Sequence, residues 1–219
     1  ASATAKDDNG NDAYLSLSTT NFPSALVDTI APLVAISTPA DLTYINIASD
    51  SAVFVVMGTC NVPGQTVTIK VDGTAASSPS GLLCDGASFT GTIDSTGIAE
   101  GARVFTAEIT DLGSNTGVSP NINITKDTVA PIIALDVLAD VALSNEATYT
   151  VSGTCDEDTA TVSLAFGSLT DSSITCSSGT FSKTNWDVSA EDDNAAVLVT
   201  ADITDAAGNP STQATINVL

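Results

Sequence analysis

Histidine is absent from this sequence, and lysine and arginine together number five against 26 acidic residues. Without an imidazole, the usual general base and the Ser-His and Cys-His nucleophile pairs are excluded. There is no Gly-rich phosphate cradle and no metal motif of the zincin or EF-hand kind. The formal net charge of −21 repels phosphate backbones and anionic lipid at long range, so nucleic acid is not an expected partner. No apolar run approaches the ~20 residues of a membrane span, so direct membrane insertion is not expected. No basic stretch followed by an apolar one opens the chain, and any export signal is expected to have been removed or to lie outside this piece. Glutamate and methionine, both good helix formers, are scarce, which counts against helices.

Thr, Ser, Ala, Val and Asp fill the space instead. Of the 26 acids, 21 are Asp and 5 are Glu, and the Asp residues stand beside Gly, Asn, Ser and Thr. That is turn chemistry with solubility, or in some loops a hard oxygen-ligand cation. The stretch Lys126-Asp127-Thr128-Val129-Ala130-Pro131 repeats Val27-Asp28-Thr29-Ile30-Ala31-Pro32 ninety-nine positions earlier. Proline has no N–H to give a central strand and keeps the residue before it extended, so Asp-Thr-x-Ala-Pro suits a domain start. We therefore expect three parts: an N-terminal strand or hairpin segment (1–27), a first domain (28–126) and a second domain (127–219).

Each full repeat offers short runs of alternating apolar and polar residues. Val67-Thr68-Ile69-Lys70-Val71 and Val104-Phe105-Thr106-Ala107-Glu108-Ile109 represent the first repeat, and Val197-Leu198-Val199-Thr200-Ala201-Asp202-Ile203 the second. Six or seven such strands in about ninety-five residues describe an all-β fold: two tandem immunoglobulin-like Greek-key sandwiches. Trp186 falls late in its repeat and reads as core or edge packing. Ala3-Thr4-Ala5-Lys6-Asp7-Asp8-Asn9-Gly10-Asn11 lies without a gap on Ala201-Asp202-Ile203-Thr204-Asp205-Ala206-Ala207-Gly208-Asn209. The chain is thus expected to open on the last hairpin of a repeat whose earlier strands are absent, with Tyr14, Leu15 and Leu17 on the returning strand as assembly residues.

Four cysteines stand in matched surroundings, Gly58-Thr59-Cys60 with Cys84 five residues before Phe89, and Gly153-Thr154-Cys155 with Cys176 five residues before Phe181. The repeated context predicts disulfides Cys60–Cys84 and Cys155–Cys176 over the other connectivities. A zinc site would need thiolates from two domains to converge. The closed loops place the mature chain in an oxidising space, secreted or at the cell surface.

In combination, Asp-Thr-x-Ala-Pro, Gly-Thr-Cys, Cys-x-x-x-x-Phe and Asp-x-x-Gly-Asn resemble the tandem Ig-like repeats of bacterial cell-surface and adhesin-type proteins. The turn at Asp111-Leu112-Gly113-Ser114-Asn115 departs from the pattern, its glycine moved by one place. The resemblance implies a non-enzymatic extracellular building unit, often rigidified by calcium between domains. One end of the second repeat collects candidate ligands for Ca²⁺, namely Asp127, Asp156, Asp158, Asp205 and Asn209, with Glu157 beside them and Glu100 facing from the first repeat. Solvated loops are the competing reading.

Other chemistry has little footing. Asp192 and Asp193 are the sort of adjacent acids that a chain this rich in Asp produces by chance. A Lys–Asn isopeptide at Lys70 or Lys183 and a glycosylation sequon at Asn123-Ile124-Thr125 complete the candidates. The reading placed first is a subunit of a cell-surface filament, assembled partly by strand pairing through the N-terminal segment with other copies of itself. The alternative is a stalk or binding segment of a large tandem-repeat adhesin.

Overall fold

The structure is a computed structural model, and it describes residues 28–77, 81–191 and 196–219, with the backbone of two short strands before them. Those two, β1 (Ala5–Lys6) and β2 (Asp12–Ala13), pair antiparallel as Ala5 with Ala13 and Lys6 with Asp12. Tyr14, Leu15 and Leu17 lie outside the described residues, as do Asp192 and Asp193.

The first sandwich is built from β3 (Val34–Thr38), β4 (Thr43–Ile45), β5 (Phe54–Cys60), β6 (Thr66–Val71), β7 (Thr74–Ala75), β8 (Leu82–Leu83), β9 (Ser88–Ile93), β10 (Gly101–Thr110), β11 (Thr116–Val118) and β12 (Ile122–Lys126). One sheet runs β3-β5-β9; the other runs β4-β12-β10-β6-β7, with β11 on β10 and β8 on β6. The chain changes sheets between β3 and β4, and β4 joins β12 in parallel. The second sandwich uses β13 (Ile133–Leu135), β14 (Tyr149–Cys155), β15 (Thr161–Phe166), β16 (Leu169–Thr175), β17 (Thr180–Trp186), β18 (Val197–Ile203) and β19 (Ala214–Val218), in sheets β13-β14-β17 and β16-β15-β18-β19. These are two tandem Ig-like sandwiches in an all-β chain, and their buried clusters share no residue.

Alternation carried through the central strands. On β5 the inward residues Val56, Gly58 and Cys60 are buried while Val55, Met57 and Thr59 face out, the period of two that one buried sheet face requires. Trp186 is core: it is 8% exposed and meets the edge of Phe166, which in turn meets Tyr149. Sequence reading missed β16, whose residues are mostly Ser, Thr and Asp and mostly exposed. Its Asp171 pairs with Lys183 of β17, tying the two sheets together at their edge. The Lys183 ammonium, with Ser173, holds the Asp171 carboxyl down to about 2. Lys70 likewise faces a carboxylate, Glu108 at 2.6 Å, so among the described residues both isopeptide candidates are ion-paired to carboxylates.

The repeated words have a packing reason. Gly58 stands opposite Phe89 across β5 and β9, and Gly153 opposite Phe181 across β14 and β17. A Cβ on Gly58 would sit 2.5 Å from the Phe89 ring and 2.0 Å from the Ala35 carbonyl oxygen; on Gly153 the distances are 2.6 Å to Phe181 and 2.1 Å to the Ala134 oxygen. The cysteine two residues after each glycine closes on a cysteine of the opposite sheet's margin, Cys60 with Cys84 and Cys155 with Cys176. Separations of 24 and 21 residues correspond to about 3 kcal/mol each in the chain-entropy picture. Replacing Gly153 by Ala is expected to overpack this contact and lower stability by about 2–3 kcal/mol in denaturant titration. Gly97→Ala, whose Cβ meets nothing within 4 Å, is expected to stay within about 0.5 kcal/mol of the parent.

Candidate functional site: the junction between the sandwiches

In each sandwich the start of the first strand, the loop after the second strand and the turn of the last hairpin lie at one end, called here the head; the opposite end is the foot. The head of the second sandwich meets the foot of the first. β12 ends at Lys126, and the next residue, Asp127, donates its N–H to the Ile45 carbonyl of β4 at 2.8 Å. Lys126 is 3% exposed. Its ammonium lies 3.0 Å from Asp50 Oδ2 and donates to the Ser95 carbonyl at 2.8 Å. Ser95, fully buried, donates its hydroxyl to Asp50 Oδ1 at 2.6 Å and accepts from the Ser51 N–H at 2.9 Å. One buried cation thus ties the loop after β4 to the loop after β9 and fixes the shape of the foot.

The contact across the junction centres on Asn209, which is 0% exposed. Its Nδ2 donates to Asp205 Oδ2 and to the Asp127 carbonyl, both at 2.8 Å, and its Oδ1 accepts the N–H of Ile47 at 2.7 Å. Carboxylate and carbonyl only accept and a peptide N–H only donates, so the partners fix which way this amide points. Its own N–H goes to Asp205 Oδ1 at 2.8 Å. From the other side, Asn46 donates Nδ2 to the Ala207 carbonyl at 2.8 Å, its own Oδ1 being engaged by Ser49. Glu100 of the foot accepts from the Thr128 N–H at 3.1 Å and from the Thr128 hydroxyl. Gly208, at φ +88°, brings the turn close enough that a Cβ there would sit 3.2 Å from Asn46 Nδ2.

Of the residues expected to hold calcium, Asp127, Asp205 and Asn209 do come together, through the hydrogen bonds just described. Asp156 accepts the Ile132 N–H at 2.7 Å, while Asp158 turns away to the Gly179 N–H at 3.1 Å. Among the described residues no three acidic side chains converge as ligands of an ion. In the first sandwich the uncharged Asn61 caps Leu33 N–H at 2.8 Å just as Asp156 caps Ile132. The position needs an acceptor for the backbone, and the charge is incidental. In this structure the residues named for calcium are engaged by hydrogen bonds, with the charges of Asp127, Asp156 and Asp205 all acting on Glu157. Asn46, Ile47 and Thr128 were missed from sequence: Asn46 sits in a foot loop with no counterpart in the other repeat, so repetition carried no signal for it.

Most loop aspartates do the work of turns. Asp85 takes the N–H groups of Ser88 and Ala87, Asp94 the hydroxyl and N–H of Thr96, Asp187 the hydroxyl and N–H of Ser189, and Asp41 the N–H of Asn123. These bonds favour the ionised form and lower each carboxyl. Their contribution to stability is present above the ordinary carboxylate range and is lost as pH falls through the depressed values.

No protein-family profile matches the chain, and no curated protein matches it. Similar solved structures include the fibronectin(III)-like modules of Clostridium thermocellum CbhA, at 14% identity and TM-score 0.42, covering 85% of this chain and 94% of that one. A calcium-stabilised adhesin with which an Antarctic bacterium binds ice matches at 19% identity and TM-score 0.43, covering 98% of this chain and 55% of that one. A 1.5-MDa bacterial ice-binding adhesin matches at 20% and 0.44, covering 84% and 63%. The chain thus spans just over half to under two thirds of these adhesin structures. The likeness is one of fold.

Two outcomes test the site's electrostatics. Glu157 is raised from 4.5, first by burial and then by the charges of Asp156, Asp205 and Asp127. A raised acid contributes stability only below its unfolded value and loses it as pH rises. Glu157→Gln is therefore expected to melt higher than the parent at pH 7, with the advantage gone below about pH 4. Asp50→Ala leaves the Lys126 ammonium buried and unpaired and is expected to cost about 3–5 kcal/mol by chemical denaturation.

Proposed function

We propose that the chain is a non-enzymatic extracellular structural segment of tandem-repeat adhesin type, in which Ig-like units stack foot to head at fixed orientation. Residues 28–126 and 127–219 are the two units, and residues 1–27 belong to the end of another. The observation that carries this reading is the fully buried Asn209 amide shared by Asp205, Asp127 and Ile47. Asp205 and Asp127 of its own unit hold the Nδ2 while Oδ1 accepts from Ile47 of the other, so separating the units strips the Ile47 N–H and the oriented Asn209 oxygen of each other. Position is the product of such a segment, and no cleft with catalytic groups is needed for it. The two disulfides suit an oxidising exterior. Calcium, which the resemblance implied, has no part in this reading.

A second reading, the filament subunit, draws on one observation: Ala5–Lys6 and Asp12–Ala13 pair as a two-stranded ladder. In that reading the N-terminal segment adds to a neighbouring copy's sheet edge. The two separate in solution. The stacked-segment reading expects a monodisperse monomer at high concentration, with a radius of gyration well above the ~17 Å of a compact chain of this length and no change in association when residues 1–22 are removed. Fibres or long oligomers in electron microscopy, lost with residues 1–22, would instead establish the filament.

A further inference from the structure

The head of the first sandwich carries the same clamp as the head of the second. Asn115 N–H donates to Asp111 Oδ1 at 2.9 Å, Asn115 Nδ2 to Asp111 Oδ2 at 3.1 Å and to the Asp28 carbonyl at 3.0 Å, and Asp111 N–H to the Asn115 carbonyl at 3.0 Å. The Asn209 set reads 2.8, 2.8, 2.8 and 3.1 Å in the same order. Ser114 takes φ +68° where Gly208 takes +88°, so the turn keeps its path although the glycine has moved. A serine in this region is strained by about 1 kcal/mol, and the hydrogen bonds of Asp111 and Asn115 hold it there. What differs is the far side. Asn209 Oδ1 accepts Ile47 N–H, whereas Asn115 Oδ1 receives no donor among the described residues, and Asn115 is half-buried where Asn209 is fully buried.

We infer that the head of the first sandwich, Asn115 Oδ1 with the Gly113 carbonyl and Thr29, is a docking surface for the foot of another Ig-like sandwich. It would meet a foot presenting a side-chain amide, a backbone N–H and a carboxylate as Asn46, Ile47 and Glu100 do. The inference rests on the stacked-segment reading. Three observations choose this occupant. The occupied head shows the complementary groups directly: amide to the Ala207 carbonyl, N–H to Asn209 Oδ1, carboxylate to Thr128. Their counterparts on the free head are Gly113, Asn115 and Thr29, at constant offsets in each segment.

The second observation comes from the start of the chain. Lys6 pairs with Asp12 in the register of Thr204 with Pro210 and of Thr110 with Thr116. The strand pair ahead of Asp28 thus closes over the same six-residue offset as the two last hairpins.

The third observation rules out a second copy of this chain as the occupant. Its Asn46 foot is already covered by its own second sandwich. Its other foot has a different loop, in which Asn145 spends its amide on the Asp140 carbonyl and its Oδ1 on Ala142 N–H.

The test repeats residues 28–126 once within the full chain, so that a first-sandwich foot precedes a first-sandwich head. Hydrogen exchange then reads the Ile47 N–H of the leading copy. Docking on Asn115 is expected to slow that amide roughly tenfold or more against the same chain with Asn115→Ala in the following copy. Equal, fast exchange in both would overturn the inference, even if the full chain remains a stacked monomer. If the lengthened chain fails to fold, the turn is exchanged instead. Ala206→Leu, Ala207→Gly and Gly208→Ser together place the first head's sequence at the natural junction. Retained protection of Ile47 N–H, lost on adding Asn209→Ala, upholds the inference, while loss of protection in the triple variant alone overturns it.

Discussion

A β-sandwich leaves its ends as loops, and every peptide group that those loops bury needs a partner. In this chain that constraint is met by a short polar side chain set in a tight turn. Asp205 orients Asn209 through two hydrogen bonds, and the oriented amide reaches the peptide groups that the turn cannot satisfy itself. The amide has both donors and an acceptor, so it reaches one group on its own sandwich and another on the neighbour. The junction's order follows from that double valence. It works on a foot whose loops are already fixed from within by Lys126, Asp50 and Ser95.

Charge plays a smaller part than the composition first indicates. Several of the described aspartates, Asp85, Asp94 and Asp187 among them, are turn formers that accept nearby N–H groups, and much of the excess charge accompanies the choice of Asp for that task. Where the excess is concentrated, at Asp127, Asp156, Glu157 and Asp205, it adds to burial in raising Glu157. The neutral Asn61 in the equivalent place of the first repeat shows that the fold does not require that charge.

The architecture was legible because its causes are local and repeated. Alternation on β5, β6 and β18 gave strands, and the match of Gly58 and Cys60 with Gly153 and Cys155 gave the sandwich twice, since one packing contact with one phenylalanine demanded the same letters each time. β16 was illegible because an exposed edge strand rich in Ser and Thr has the composition of a loop. At the site, the turn residues Asp205 and Asn209 were found but not the backbone groups that they engage: in sequence, oxygen-rich side chains at a junction look alike whether they bind an ion or the backbone. Asn46 was out of reach, because a residue that meets a partner 161 positions away leaves no period in the sequence.

The parallel pairing of β4 with β12 bears on how the first sandwich responds to tension. The chain enters this unit at the head and leaves it at the foot, so a pull on the two ends drives β4 and β12 past each other along their length. Their parallel ladder, with Ile124 beside Thr43, Thr125 beside Tyr44 and Lys126 beside Ile45, is then loaded in shear along its whole length and cannot be peeled one bond after another. In the second sandwich the corresponding link among the described residues is the single bond from Val141 N–H to the Leu219 carbonyl. The two units, alike in fold, thus differ in how their first and last strands are linked. In either one the span between its cysteines stays closed, shortening the slack released.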